Sequence, residues 1–186
     1  MKWTSTRSEA FLSDSHGRDH VTKASIAMDK DGHFLGVKVD TVAAVGAYLS
    51  QYGIFIPTLA GAGMHVGVYK IPTLYNKVNV VYTNTVPVDA YRGAGRPEAS
   101  YVIERLVDKA ADDLGIDPLE LRMKNFVQPD EIGKNEGSIL PVDSCDFQKT
   151  TEMSIVNSSY SDFVNRKKSA DKSKYLKGIG VSYYVE

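Results

Sequence analysis

From Pro97 to Leu114 the apolar residues Ala99, Val102, Ile103, Leu106, Val107, Ala110 and Leu114 recur three and four apart. Glu104, Arg105, Asp108, Lys109 and Asp112 fall between them. Wound into a helix, that spacing makes one continuous stripe, so one face has to be buried while the other stays in water. Pro97 suits the first turn, where a missing N–H costs nothing, and Gly115 suits a left-handed stop. Just upstream, Leu74 to Thr85 places Val78, Val80 and Tyr82 on one side of a strand.

The rest of the chain is organised around that strand and helix. Residues 21–30 alternate loosely, Asp29-Lys30-Asp31-Gly32 has turn composition, and Phe34 to Val45 is rich in β-formers, so 21–45 reads as a hairpin. Residues 47–64 are apolar but interrupted by Gly53, Pro57, Gly61 and Gly63. So many breakers predict a buried, partly irregular crossing. Pro72 ends a strand at Tyr69-Lys70-Ile71, because proline removes a ladder donor. Asp117 and Pro118 open a short helix, 127–145 is loop-like, and Phe147 to about Lys172 forms one or two helices. Gly178 to Val185 reads as a strand. A closing strand, and a start that enters β-like sequence almost at once, predict a piece of a larger fold. Residues 1–186 show no internal boundary and are taken as one partial domain.

With 186 residues and 42% hydrophobic content the chain can bury one core. A net charge of -1 offers no electrostatic case for nucleic acid or an anionic membrane surface. The apolar stretches are too short to span a bilayer, and the first residues lack the apolar centre of a signal peptide. A cytoplasmic location is therefore expected. Cys145 is the only cysteine, which excludes an internal disulfide and any metal cluster held by this chain's cysteines alone.

Most chemistry is concentrated between the strand and the helix, in Ala90-Tyr91-Arg92-Gly93-Ala94-Gly95-Arg96-Pro97-Glu98. Small residues, cationic side chains and the first amides of a helix suit a bound anion or an electron-rich cofactor. A dinucleotide fingerprint fails, because Glu98 stands where the third glycine belongs, and the Gly-Lys-Ser/Thr of a phosphate loop is absent. From the residues alone two readings stay open: a ligand-facing loop, or a plain strand-to-helix connection with two exposed arginines. Elsewhere, His16 and His20 stand four apart, but Gly17 and the strand that follows favour polar loop residues over a metal pair. His33 and His65 read as packing or surface groups. Acidic neighbours disfavour a Cys145 thiolate, and the run Arg166-Lys167-Lys168 reads as a solvated face. No carboxylate pair, Asp14/Asp19 or Asp112/Asp113, has the buried context of an acid–base dyad.

The loop Ala90–Ala99 resembles the active-site loop of the large subunit of molybdenum hydroxylases, the xanthine dehydrogenase, aldehyde oxidoreductase and aerobic carbon monoxide dehydrogenase family. Further segments resemble the same subunit in the same order: Lys2-Trp3-Thr4, His16-Gly17-Arg18-Asp19, Tyr82-Thr83-Asn84, Ile103-Glu104-Arg105, Asp117-Pro118 through Phe126, and Gly178-Ile179-Gly180. The resemblance implies an α+β fold, a mixed sheet with flanking helices, forming part of a molybdenum-cofactor-binding domain. It implies hydroxylation of an electron-poor carbon, of an aldehyde or N-heterocycle, with oxygen derived from water. Tyr91, Arg92 and Gly93 are then the cofactor-facing residues and Ala94 the substrate-facing one.

The resemblance also sets limits. Gly93 takes the place where the copper-containing carbon monoxide enzymes carry a cysteine, so no thiolate is available for copper. Ala94 takes the place of an aromatic ring in purine-oxidising relatives, which speaks against a purine. The family's glycine-phenylalanine motif falls before Met1, and its general-base glutamate and most pterin contacts fall after Glu186, so no catalytic base and no metal ligand is assigned here. The implied cofactor is molybdenum–molybdopterin shared with the complementary half of the large subunit, with iron–sulfur clusters and FAD on partner subunits. Alone, the chain is expected to be catalytically silent, and its exposed core surface predicts self-association into a homo-oligomer. The alternative is a non-catalytic binding or scaffold domain that keeps the fold without the cofactor.

Overall fold

The computed structural model describes residues 1–132, 142–170 and 175–185. Parts of the expected 127–145 loop and of the 147–172 helical stretch, and Glu186, lie outside them.

The hairpin forms because its turn is closed by one carboxylate. Asp29 Oδ1 accepts from the amides of Asp31 and His33, each at 2.9 Å, and Gly32 takes the left-handed step at φ +85°. Strands β1 (His20–Met28) and β2 (Phe34–Ala44) then pair antiparallel. A third strand, β3 (Leu74–Val81), runs parallel to β2 and puts β2 in the centre of a mixed sheet. Parallel pairing requires a crossover. Residues 45–73 supply it through a single π-turn at Ile56–Ala60 and a 3₁₀ turn at Ala62–Met64. The expected irregular crossing is therefore present, but it is continuously buried only from Gly61 onward. Tyr48, Leu49, Tyr52, Ile54, Phe55 and Leu59 are exposed.

Helix α1 (Arg7–Ser13) occupies the start of the chain, where β-like sequence was expected. Thr6 and Glu9 form a reciprocal capping box, satisfying two amides that would otherwise be orphaned. Helix α2 (Arg96–Leu114) lies against β1 with Ala99, Ile103, Val107 and Ala110 buried, so the stripe faces the sheet as its spacing requires. Leu114 is exposed, and Gly115 stops the helix at φ +66°. Helix α3 (Pro118–Lys124) starts on Asp117, whose carboxylate accepts from the amides of Leu119 and Glu120. Helices α4 (Phe147–Ser158) and α5 (Phe163–Ala170) follow, with the basic run on α5.

Glu104 departs from its expected place on the wet face of α2. It is buried against Arg122 of α3, which is fully buried, with Nε donating to Glu104 Oε2 at 2.9 Å. Tyr69 Oη donates to Oε1 of the same carboxylate at 2.6 Å, and Arg122 Nη2 reaches Asp108 Oδ1 at 2.8 Å. Burial pushes the Glu104 carboxyl upward, while Tyr69 and Arg122 oppose that shift.

Three strand expectations are corrected. Tyr69 makes one isolated bridge to Phe126, and β3 ends at Val81, leaving Tyr82 exposed. Residues 175–185 form no strand. A strand needs a neighbouring edge to satisfy its backbone, and here α4 captures the segment instead. The Tyr183 hydroxyl lies 2.5 Å from Thr151 Oγ1, and its ring meets Phe126 edge-on at 4.9 Å.

Candidate functional site

The loop following β3 is held on two sides. On one, His16 bridges Val88 in parallel, with His16 N donating to Pro87 O at 2.9 Å and Asp89 N donating to His16 O at 2.8 Å. On the other, Asp89 Oδ1 accepts from Tyr52 N at 3.1 Å and from Ala90 N at 2.7 Å. The backbone then turns through three consecutive left-handed residues, Gly93 at φ +90°, Ala94 at +44° and Gly95 at +92°. A Cβ at Gly93 would stand 2.5 Å from Pro97 Cγ, and one at Gly95 would stand 2.6 Å from Ile56 O. Glycine is required at both positions by conformation and by space. Gly95 also serves as N-cap of α2, so the loop and the amphipathic helix share one junction.

Within this turn, Ala94 N donates to Tyr91 O at 2.7 Å and Arg96 N to Gly93 O at 3.0 Å. Among the described residues no acceptor meets the amides of Tyr91, Arg92 or Gly93. Tyr91 and Arg92 are exposed, while Gly93 and Ala94 are half-buried. Arg18 reaches across from the His16 segment. Its Nη2 donates to Arg92 O at 2.5 Å, its guanidinium lies 4.7 Å from the Tyr91 ring centroid, and its Nε is 3.6 Å from Glu98 Oε2.

Behind the turn the wall mixes polar side chains with apolar surface from Pro97, Tyr101 and Val102. A hollow of about 400 Å³ is bordered by Arg18, His20, Thr22, Pro97, Glu98 and Tyr101. It adjoins a narrow gap reaching His65, which is buried. Burial lowers the His65 imidazole to about 4 and also lowers His20, although Glu98 and Asp19 oppose the latter shift. Both rings are therefore neutral at pH 7, and His65 Nδ1 has no partner among the described residues.

This geometry has known counterparts. A family model described as the molybdopterin cofactor-binding domain matches residues 1–126. The chain belongs to that family. It is 31% identical over 188 residues to the gamma subunit of the 6-hydroxypseudooxynicotine dehydrogenase complex of Paenarthrobacter nicotinovorans, covering 97% of this chain and 24% of that protein. It is 38% identical over 136 residues to the carbon monoxide dehydrogenase large chain of Hydrogenophaga pseudoflava, covering 70% of this chain and 17% of that one. Quinoline 2-oxidoreductase from Pseudomonas putida 86 superposes with a TM-score of 0.82 at 28% identity, over 91% of this chain and 22% of that structure. The α+β class and the family expected from the sequence are thus shown. The chain spans about a quarter or less of the length of these relatives.

Tyr91, Arg92, Gly93 and Ala94 lie together on one turn, although the hollow behind it is bordered by other residues. The histidines go separate ways: His16 joins Val88, His33 contacts Asp29 at the surface, and His20 and His65 face the narrow gap. Among the described residues no group of three or more acidic, histidine or cysteine side chains could hold a metal ion. Burial and the carboxylates of Asp146 and Glu131 raise the Cys145 thiol, which is the direction expected from its acidic neighbours. Arg18 was not singled out by sequence as a contact of the loop. It was legible only as part of His16-Gly17-Arg18-Asp19, because its partner Arg92 is 74 positions away.

Proposed function

We propose that this chain supplies the cofactor- and substrate-facing loop 90–98 of a molybdenum hydroxylase large subunit. The observation that carries the reading is the left-handed turn Gly93-Ala94-Gly95, which is tied down on both flanks and leaves the amides of Tyr91, Arg92 and Gly93 without an acceptor among the described residues. Such pre-oriented N–H groups suit oxygen that gains negative charge, because no reorganisation is needed when the charge develops. The donor set therefore fits the oxygen-rich face of a molybdenum–molybdopterin group.

When bound, that group supplies the two-electron oxidation in which water-derived oxygen enters an electron-poor carbon. This chain's residues act around it. The amides of the Arg92–Gly93 segment offer fixed donors, the exposed Arg92 guanidinium adds a charged one, Tyr91 forms one wall, and Ala94 sets the width of the substrate side. An aldehyde or N-heterocycle matches the small Ala94 side chain. Gly93 argues against a copper-bearing thiolate on physical grounds as well, since any Cβ there collides with Pro97. Residues 1–186 act as one partial domain, completed by the remainder of the large subunit, with iron–sulfur and FAD-bearing subunits taking the electrons. The relatives named as subunit gamma and large chain support this assembly. Alone, the chain is catalytically silent.

The test is Arg92→Ala in the chain assembled with the rest of its large subunit. Molybdenum per polypeptide and turnover with an aldehyde or N-heterocycle should both fall, turnover by about tenfold or more if a charge-assisted contact is lost. Unchanged retention together with unchanged turnover removes the role given to the loop and favours a scaffold domain.

A further inference from the structure

We infer that Arg18 is a positioning residue that fixes which way the peptide between Arg92 and Gly93 faces. The inference rests on the reading of loop 90–98 given above, but its physical basis is independent of it. In a trans peptide the C=O and the following N–H point in opposite directions. Arg18 Nη2 holds the Arg92 carbonyl toward the His16 segment at 2.5 Å, so the Gly93 N–H is turned to the other side. The hydrogen bonds within the turn, Ala94 N to Tyr91 O and Arg96 N to Gly93 O, use neither the Arg92 carbonyl nor the Gly93 N–H. Glycine accepts either sign of φ almost equally, so Gly93 by itself leaves the peptide free to flip. The lock must come from outside, and Arg18 is the described side chain that reaches the Arg92 carbonyl.

Three further features suit Arg18 to that task. Its guanidinium is also positioned by the Tyr91 ring and by the Glu98 carboxylate, which come from the two ends of the same loop. A planar fork can meet a carbonyl, a carboxylate and a ring face together, where an ammonium cannot. Arg18 itself sits at φ +65°, an uncommon conformation for a residue with a Cβ, sustained by its surroundings. The backbone just before it is zipped to the loop through His16 and Val88, so the base of the side chain is held in register with its target.

The test compares Arg18→Ala and Arg18→Lys with the unaltered chain, each assembled with the rest of the large subunit. Arg18→Ala keeps the Cβ and the backbone strain and removes only the fork. Site-resolved hydrogen exchange should speed up by about tenfold or more at the Ala94 and Arg96 amides, as expected when a hydrogen bond from a charged donor is lost. The β1–β2 ladder amides should not change, which a general loss of stability would not allow. Arg18→Lys should fall between, because one ammonium replaces one of three contacts. Molybdenum per polypeptide should fall with the loss of protection. If exchange rises while molybdenum content and turnover hold in both Arg18→Ala and Arg92→Ala, the lock stands and the cofactor role of the loop fails. Exchange within twofold of the unaltered chain in both Arg18 variants overturns the lock.

Discussion

At the scale of single residues, the loop is governed by what glycine permits and other residues do not. Gly93→Ala adds a side chain at φ +90° and 2.5 Å from Pro97 Cγ. The expected cost is about 2–4 kcal/mol, from left-handed strain plus overpacking. Gly178→Ala meets nothing within 4 Å and should be near neutral, so paired urea titrations separate the two. His65 governs a different property. Its folded value, lowered to about 4 by burial, lies below the ordinary 6.5, so below pH 6.5 the unfolded chain binds the proton first. Stability should therefore hold above about pH 6.5 and fall as pH drops toward 4. The loss is about 2 kcal/mol at pH 5 from this group. His65→Gln should remove most of that slope in urea midpoints measured between pH 5 and 7. Failure to flatten would move the pH dependence to another group, His20 first.

At the scale of elements, α2 and α3 are joined by an ionic contact that the stripe does not reveal. Arg122 is sealed among Glu104, Asp108 and the Pro118 carbonyl, while Tyr69 holds the far oxygen of Glu104. Removing one member leaves a buried charge without its counter-charge. Arg122→Met should cost about 3–5 kcal/mol, and Glu104→Leu combined with it should restore much of the loss. Thermal midpoints of both single variants and the double variant close that cycle. Because Gly95 of the loop caps α2, this contact holds the helix that carries the loop. The sequence announced α2 and α3 well, since periodicity, the Asp117 cap and Gly115 are all local signals. It placed Glu104 on the wrong face because burial there depends on Arg122, 18 positions away. Residues 178–185 depart from the expected strand for the same kind of reason. Alternation describes a strand, but whether an edge or a helix receives it is a tertiary matter.

At the scale of the whole molecule, the crossover exposes Tyr48, Leu49, Tyr52, Ile54, Phe55 and Leu59 within one short segment. Clustered exposed apolar and aromatic side chains seek a cover. The isolated chain should self-associate, with a sedimentation coefficient that rises with concentration, and Tyr52→Lys with Phe55→Glu should suppress the rise. A concentration-independent monomer would show that this segment is stable in water. Among the described residues no helix is long and apolar enough to cross a membrane.

The sequence by itself determined the hairpin, the α2 stripe, the caps and the position of the loop, because each depends on residues a few places apart. It also carried the family, through ordered motifs spread along the chain. Tertiary structure decided that the loop turns left-handed three times, that Arg18 meets it from 74 positions away, and that Glu104 is buried. Those outcomes depend on which groups folding brings together. A linear pattern reports a residue's own preferences, whereas the direction of a peptide or the burial of a carboxylate is set by partners that only the folded chain supplies.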